Sequence, residues 1–405
     1  MQLNNQETAN QTLRIAYFPD SYEEVNGVAT TSRHLTDYVS ARGLPFLCVH
    51  AGSVTNYSST GNLSFLSLKR SPLAIRVDET LAFDPIFQIY AGRIRREVEK
   101  FRPDVIHITG INDVGIAGAY LGWKMDLPIV GSWHTNLHEY AVRRLRGLLR
   151  LLPKETARSI GDFLERQILY GAKQYYRIPQ ILLAPNAELV EMLAEGTGRV
   201  THLMIRGVDT ELFSPEKRTV ADDIFRFGYT GRLRAEKNVR MLAEIEKALL
   251  ASGRNNFRFL VVGEGTEREW LERNLQNGEF TGFLTGEQLS EAYANMDVFL
   301  FPSETDTFGN VPQEAMASGA APIVSNKGGP KFIVEHKRTG FVADSASDFA
   351  RYAIDLFDNR EKLERMRAAA LKFARSRSWD SVFDGVYDAY REAYERKRDR
   401  KKDRA

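Results

Sequence analysis

Hydrophobic positions recur along the chain in two rhythms. Short apolar runs at Leu13–Phe18, Phe46–His50, Val105–Ile108 and Pro128–Trp133 alternate with longer stretches at Val28–Arg42, Ile86–Phe101 and Ile116–Lys124. The short runs predict strands buried on both faces, and the longer ones predict amphipathic helices. Their alternation predicts parallel βαβ units, an α/β sheet covered by helices on both sides. The rhythm breaks after residue 141 and resumes near Phe225. Strands are then predicted at Phe225–Tyr229, Phe257–Val262, Val298–Phe301 and Ala321–Val324, with helices at Asn238–Ala251, Thr266–Leu275, Glu287–Asn295 and Val311–Ser318. Between the two series, Arg206–Arg218 contains Gly207 and Pro215 and predicts a linker. The whole reads as two doubly wound domains. Sheets of this kind bind ligands outside the carboxyl ends of their strands, so a cleft between two such edges is expected. From about Trp379 the chain is helical again and ends in a charged run.

Composition narrows the function classes. Over 405 residues, 55 Lys+Arg stand against 53 Asp+Glu. That near balance argues against a nucleic-acid partner, and the 43% hydrophobic content argues against a disordered chain. A lone cysteine, Cys48, excludes an internal disulfide and a Cys-rich zinc site, and fits a reducing cytosol. The first twelve residues are polar and lack the apolar core of a signal peptide. No apolar run approaches about 18 residues, so a soluble, cytoplasmic protein is expected. Charge is uneven, however. Residues 141–177 hold nine Lys/Arg against three acidic residues, interleaved with Leu145, Leu148, Leu149, Leu151 and Leu152. Such a helix lies on an anionic membrane surface, or is solvated with its leucines in the core.

Candidate chemistry concentrates in the second series. Residues 302–319 follow an apolar strand and open a helix, with Asp306 and Glu314 eight positions apart and Phe308, Gly309, Asn310 and Val311 between them. A glycine at that turn admits close approach of a ligand, and free amides at a helix start bind anions or hydroxyls. A carboxylate two turns further down accepts hydrogen bonds from a ribose diol. The plainer alternative is that Asp306 caps a turn and Glu314 is solvated. Arg232 and Lys237 follow another strand and Gly231. Such a pair neutralises a departing diphosphate, or merely adds surface charge. His134 ends a strand of the first series and Gly27 sits in its first βα loop. Gly263 and Gly265 form a Gly-x-Gly, too short for a dinucleotide fingerprint. No cluster of metal ligands stands out.

The 302–319 block resembles the retaining glycosyltransferases of family 4, whose fold, GT-B, places two Rossmann-like domains face to face. Their signature is Glu-x7-Glu with Phe-Gly after the first acid. Here the first acid is Asp306, within Ser303-Glu304-Thr305-Asp306-Thr307. That variant resembles the branch of GDP-mannose-dependent mannosyltransferases and sulfoquinovosyl-lipid synthases. The resemblance runs from about residue 13 to 395. It assigns Asp306, or Glu304 in its place, to the donor sugar, and Glu314 to the ribose. Arg232 and Lys237 go to the diphosphate and His134 to the donor sugar, with His138 behind it. Gly27 and Gly263 fall near the donor, Phe283 and Leu284 beside the nucleobase, and Arg206 at the donor or the hinge.

The resemblance further implies an acceptor domain (1–205), a nucleotide-sugar domain (206–378) and a terminal helix (379–405) crossing back to the first. The implied reaction is transfer of a hexosyl group, with mannosyl favoured, from GDP-mannose or a UDP-hexose to a hydroxyl of a lipid or glycan. Configuration would be retained and neither cofactor nor metal needed. An anionic surface such as the inner face of the plasma membrane would be a partner through 143–177. A UDP-glucose-type transferase on glycerolipid, a nucleotide-sugar 2-epimerase and a non-catalytic membrane-associated binding protein are the alternatives.

Overall fold

In the computed structural model, residues 12–24, 26–76, 82–134 and 153–403 are described. The chain divides into two units, residues 1–205 with 383–405, and residues 206–382.

The first unit is built on β1 (Ile15–Phe18), β2 (Phe46–Gly52), β3 (Asn56–Thr60), β4 (Leu63–Lys69), β7 (Val105–Ile108), β8 (Ile129–Ser132), β9 (Ile181–Ala184) and β10 (Val200–Leu203), with β5 (Ile75–Arg76) and β6 (Ala82–Phe83) as a separate pair. The sheet order is β10-β9-β8-β7-β1-β2-β4-β3. All neighbours are parallel except β3 and β4, which form a hairpin. Helices α1 (Gly27–Ala41), α2 (Ala91–Phe101), α3 (Asp113–Lys124), α4 (Lys154–Tyr175) and α5 (Ala187–Thr197) connect the strands. Three begin alike: the side chains of Asn26, Asn112 and Asn186 accept from the amides of Ala29, Gly115 and Leu189. Each such cap contributes about 1 kcal/mol and fixes where its helix leaves a strand end.

The second unit holds β11 (Phe225–Thr230), β12 (Phe257–Val262), β13 (Gly278–Gly282), β14 (Val298–Phe301), β15 (Ala321–Ser325) and β16 (Phe341–Ala343), all parallel, in the order β13-β12-β11-β14-β15-β16. Numbered within the unit this is 3-2-1-4-5-6, the order that opens a crevice between its first and fourth strands. Its helices are α6 (Met241–Ala251), α7 (Arg268–Asn274), α8 (Gly286–Ala294), α9 (Asn310–Ala317), α10 (Ala346–Asp358) and α11 (Arg360–Arg375). Phenylalanines fill this sheet: Phe225, Phe227, Phe257, Phe259 and Phe299 are fully buried, and Phe227 stacks on Phe259 with centroids 5.3 Å apart. Each contributes about 1.5–3 kcal/mol of burial.

The last helix, α12 (Trp379–Lys402), begins in the second unit and continues into the first. There the Tyr390 hydroxyl lies 2.7 Å from Nδ1 of His107, and the Tyr38 hydroxyl donates to Asp384 at 2.5 Å. His107 is fully buried, which pushes its pKa down to about 3 and keeps the ring neutral.

One expectation needs correction. The segment 206–218 is packed against the second unit instead of forming a loose linker, because Val208 and Phe213 bury their apolar side chains there. The Val208 amide donates to Arg377 O at 3.0 Å, and a Cβ on Gly207 would lie 2.6 Å from the Trp379 ring. The basic stretch is described only from residue 153 onward, so residues 141–152 lie outside the described residues, as does His138. Among the described residues no helix is long and apolar enough to cross a membrane.

Candidate active site

Because every strand of the second sheet is parallel, the loops after β11, β12, β13, β14 and β15 all leave from one edge. The loops after β11 and β14 flank the crevice and bring together residues far apart in the chain. Lys237 closes a short turn after β11, and its Nζ lies 2.7 and 2.8 Å from the two carboxylate oxygens of Asp306 in the loop after β14. The two side chains are 11% and 25% exposed, so the pair is partly shielded yet reachable from solvent. Burial alone would raise the pKa of Asp306. The charge and hydrogen bonds of Lys237, helped by Ser303 and the positive Arg232, outweigh it and hold the carboxyl below its ordinary value.

The Arg232 loop is shaped by backbone contact. Gly263 has φ +135°, and a Cβ there would stand 2.0 Å from the carbonyl oxygen of Gly231. The Leu233 amide donates to Glu264 O at 2.8 Å, and the Gly263 amide donates to Gly282 O at 2.8 Å. Gly263 therefore lets three loops lie flush, which is a concrete reason for glycine at this position. The Tyr229 hydroxyl donates to Arg232 O at 3.2 Å.

The Asp306 loop rests on a second glycine pair, Gly328–Gly329, which sequence reasoning missed. The Gly329 amide donates to Asp306 O at 2.6 Å, and a Cβ on Gly329 would lie 2.2 Å from Thr307 O. The signal was available as a Gly-Gly-Pro turn after an apolar strand. Glu304, considered in place of Asp306, is exposed and pairs with Lys327 at 3.1 Å, so Asp306 is the acid beside Lys237.

Helix α9 begins at Asn310 after Gly309, which has φ +101°, and no described side chain caps it. Phe308 is buried, with the Arg206 guanidinium 6.0 Å from its ring centroid, and Nε2 of Gln313 donates to Arg206 O at 3.0 Å. One turn into α9, Glu314 accepts a 2.8 Å hydrogen bond from Tyr293 on α8. Burial raises the Glu314 carboxyl to about 7, and the Tyr293 bond only partly offsets it. The Phe283 ring is 61% exposed after β13, with Leu284 partly buried beside it; neither is core. Two cations, a helix start and two carboxylates in different protonation regimes suit an anion carrying hydroxyl groups.

In the first unit, His134 is buried just past β8 and Gly27 is the first residue of α1. The corresponding crevice there lies between β1 and β7, and it holds a group the sequence did not reveal. The Asp20 amide donates to the Thr109 hydroxyl at 2.8 Å, that hydroxyl bonds back to the Asp20 carboxylate, and Asn112 Nδ2 donates to Asp20 O at 3.2 Å. Burial pushes the Asp20 carboxyl up despite the Thr109 bond.

Known proteins resemble the chain throughout. Residues 212–373 match the family model "Glycosyl transferases group 1", and residues 25–212 match "Glycosyltransferase Family 4". The chain is 31% identical over 301 residues to a GDP-mannose-dependent alpha-mannosyltransferase of Mycobacterium tuberculosis, covering 72% of this chain and 73% of the relative. A protein of the same name from Corynebacterium glutamicum is 27% identical over 387 residues, covering 91% and 86%. Among solved structures, sucrose-phosphate synthase from Thermosynechococcus elongatus superposes with a TM-score of 0.72 at 17% identity, covering 94% of this chain and 99% of that one. At that identity the likeness speaks for the fold alone.

Proposed function

The chain belongs to glycosyltransferase family 4 and has the GT-B fold of two Rossmann-like domains, and from that premise we propose that it transfers a mannosyl group from GDP-mannose to a hydroxyl acceptor with retention of configuration. The observation that carries this reading is the meeting of Lys237 and Asp306, beside the positive charge of Arg232, at the crevice of the nucleotide-type sheet. The sugar and the base follow from the names of the two mannosyltransferase relatives.

In this reading the C1–O bond to the β-phosphate breaks as the bond from C1 to the acceptor oxygen forms on the same face. The acceptor's proton passes to the departing phosphate oxygen, so no side chain need act as nucleophile. Negative charge grows on that phosphate, and Arg232 and Lys237 stabilise it more in the transition state than in the bound donor. The amides of Asn310 and Val311 at the start of α9 add to this, whereas Pro312 has none to offer. Asp306 accepts from Lys237 with both oxygens and has lone pairs left for a hydroxyl of the sugar. Glu314, once ionised, accepts from the ribose diol, and the exposed Phe283 ring offers the base an apolar face. His134, in the first domain, is assigned to the donor sugar on the family resemblance alone. A lipid or glycan acceptor at an anionic membrane face fits the exposed Phe163 and Tyr170 of α4, which stand among Arg158 and Arg166.

Thermal unfolding against GDP, UDP, ADP and dTDP tests the donor site. A ligand held by the folded state at about 100 times its Kd adds about 2.7 kcal/mol, a shift of several degrees. GDP should give the largest shift and Arg232→Ala should abolish most of it. A response to UDP alone would reassign the base, and an intact response in Arg232→Ala would remove the diphosphate assignment. The anomeric configuration of the product, read by NMR, decides retention.

A further inference from the structure

Helix α9 keeps one face open. Pro312, Gln313, Ala315, Met316 and Ala317 are buried, whereas Asn310, Val311 and Glu314 are only partly so. Spacings of three and four residues put those last three on one side of the helix. That side offers the amides of the helix start and, one turn or about 5 Å further on, a carboxylate. A ligand lying along it meets the amides first and Glu314 second.

Behind Glu314 stands a tyrosine. Tyr293 on α8 is fully buried, and its hydroxyl donates to Oε2 of Glu314 at 2.8 Å. Its ring is pinned by Phe299 of β14 and by Phe213, with centroids 5.9 and 5.6 Å away. Thr230, the last residue of β11, is buried beside the same hydroxyl, and Tyr229 is the nearest titratable neighbour after Glu314. Burial keeps the phenol protonated, so it serves an ionised carboxylate as a donor. The bond engages Oε2 and leaves Oε1 to a ligand.

The other elements around Glu314 direct their charges elsewhere. On α11, Arg367 donates to Gly319 O at 2.6 Å and to Glu364 at 2.7 Å, with Asp297 3.9 Å away. Strands β14 and β15 carry no titratable side chain. Ahead of the helix, Asp306 pairs with Lys237, and Arg206 lies over Phe308. Besides burial itself, Tyr293 is what bears on the ionisation of Glu314.

We propose that Tyr293 is the positioning residue of the donor site: it holds Glu314 by one carboxylate oxygen, leaves the other to a ribose diol, and so makes the site select ribonucleotides over their 2′-deoxy counterparts. This rests on the assignment of Glu314 to the ribose.

Tyr293→Phe tests it, because the ring stays and only the hydroxyl is lost. The first arm needs no ligand. Glu314 is raised to about 7 in the folded protein, so wild-type stability falls as pH rises to about 7. Without the hydroxyl the carboxyl rises further, and the fall extends to higher pH. A hydrogen bond to a charged acceptor is about twice as strong as one to a neutral acceptor. Tyr293→Phe should therefore lower the melting temperature about twice as much at pH 8 as at pH 5. In a Glu314→Gln background its effect should be the same at both. The second arm compares nucleotides at pH 8. Wild type should bind GDP about tenfold more tightly than 2′-deoxy-GDP, and Tyr293→Phe should bring that ratio to about three or less. UDP and 2′-deoxy-UDP replace them where uridine is the base bound. A ligand-free effect of Tyr293→Phe that does not vary with pH would overturn the hold on Glu314. An unchanged ribose-to-deoxyribose ratio in the folded variant would overturn the positioning role. A wild type that binds none of these nucleotides would overturn the donor reading and the selectivity with it, while the ligand-free arm would still decide the Tyr293–Glu314 contact.

Discussion

Replacing Glu314 with glutamine separates what this carboxylate costs the fold from what it does for a ligand. In the folded protein burial holds it near pKa 7, against about 4.3 in an unfolded chain. The folded state therefore binds this proton more tightly. Its stability is fully present below about pH 4.5, falls as pH rises to about 7 and then levels off. A shift of about 2.7 units at about 1.4 kcal/mol each sets an upper limit near 4 kcal/mol. Glu314 is only half-buried, so water screens part of the cost, and about 1–2 kcal/mol is the working figure. Glutamine is neutral at every pH and still accepts from Tyr293. Glu314→Gln should match wild type near pH 4.5 and melt about 3–6 °C higher above pH 7.5.

The same substitution should act in the opposite direction on the donor. A hydrogen bond to a charged group contributes about 1.5–3 kcal/mol, so loss of the anionic acceptor should weaken GDP-sugar binding by tenfold or more. Wild-type affinity should itself rise with pH through about 7 as Glu314 ionises. Melting curves from pH 4.5 to 8.5 and donor titrations at pH 6 and 8 measure both effects. A melting difference that does not vary with pH, or a variant less stable at pH 8, would refute the desolvation argument. An unchanged donor affinity would remove Glu314 from the site.

Two further substitutions probe the loops. Lys237→Met deprives Asp306 of both short hydrogen bonds, so its pKa should climb and stability at pH 7 should fall by about 1–3 kcal/mol. Asp306 lies below its ordinary value in wild type, so the pair's contribution is present above about pH 4 and lost as pH falls through the lowered pKa; urea unfolding at pH 7 and pH 3 should show the mutational difference shrinking in acid. Gly263→Ala would force the Arg232 loop to move, since its Cβ would sit 2.0 Å from Gly231 O at a φ that L-residues rarely adopt. It should lose GDP binding while the first unit keeps its far-ultraviolet and hydrogen-exchange signature, and an intact GDP response would deny that loop its role.

Most strands that announced themselves were buried on both faces, such as β7 and β14, where sequence alone carries the pattern. The fully buried β9, only four residues long, was missed even so, as were strands with polar or half-exposed surfaces. β3 is Asn-Tyr-Ser-Ser-Thr at a sheet edge, β13 is Gly-Glu-Phe-Thr-Gly, and β10 is mostly open to solvent. Their strand character comes from a neighbour, which no local window contains. Candidate residues divide the same way. Arg232, Lys237, Asp306 and Glu314 were visible because each lies in a strand-to-helix turn with its own local signature. The pairing of Lys237 with Asp306, 69 positions apart, and of Asp20 with Thr109, 89 apart, required the strand order.

That strand order also explains why an acid stands beside the two cations. With Asp306 removed, the Lys237 side chain, only 11% exposed, would lose the two hydrogen bonds that position it. The carboxylate fixes Lys237 in place before any ligand arrives, which is where preorganised electrostatics differ from a flexible cation that must reorganise during the reaction. At pH 7 Arg232, Lys237 and Asp306 sum to one positive charge, with Glu314 near its own midpoint. On the proposed reading the arriving diphosphate brings two negative charges to a cation that is already oriented. Lys237 then shares its three donors between Asp306 and phosphate without changing rotamer. Asp306→Asn should accordingly impair turnover more than donor binding, because the amide keeps a hydrogen-bond acceptor for Lys237 but gives up the charge that holds it. Equal losses in kcat and donor affinity would mean that Asp306 serves mainly to bind the sugar.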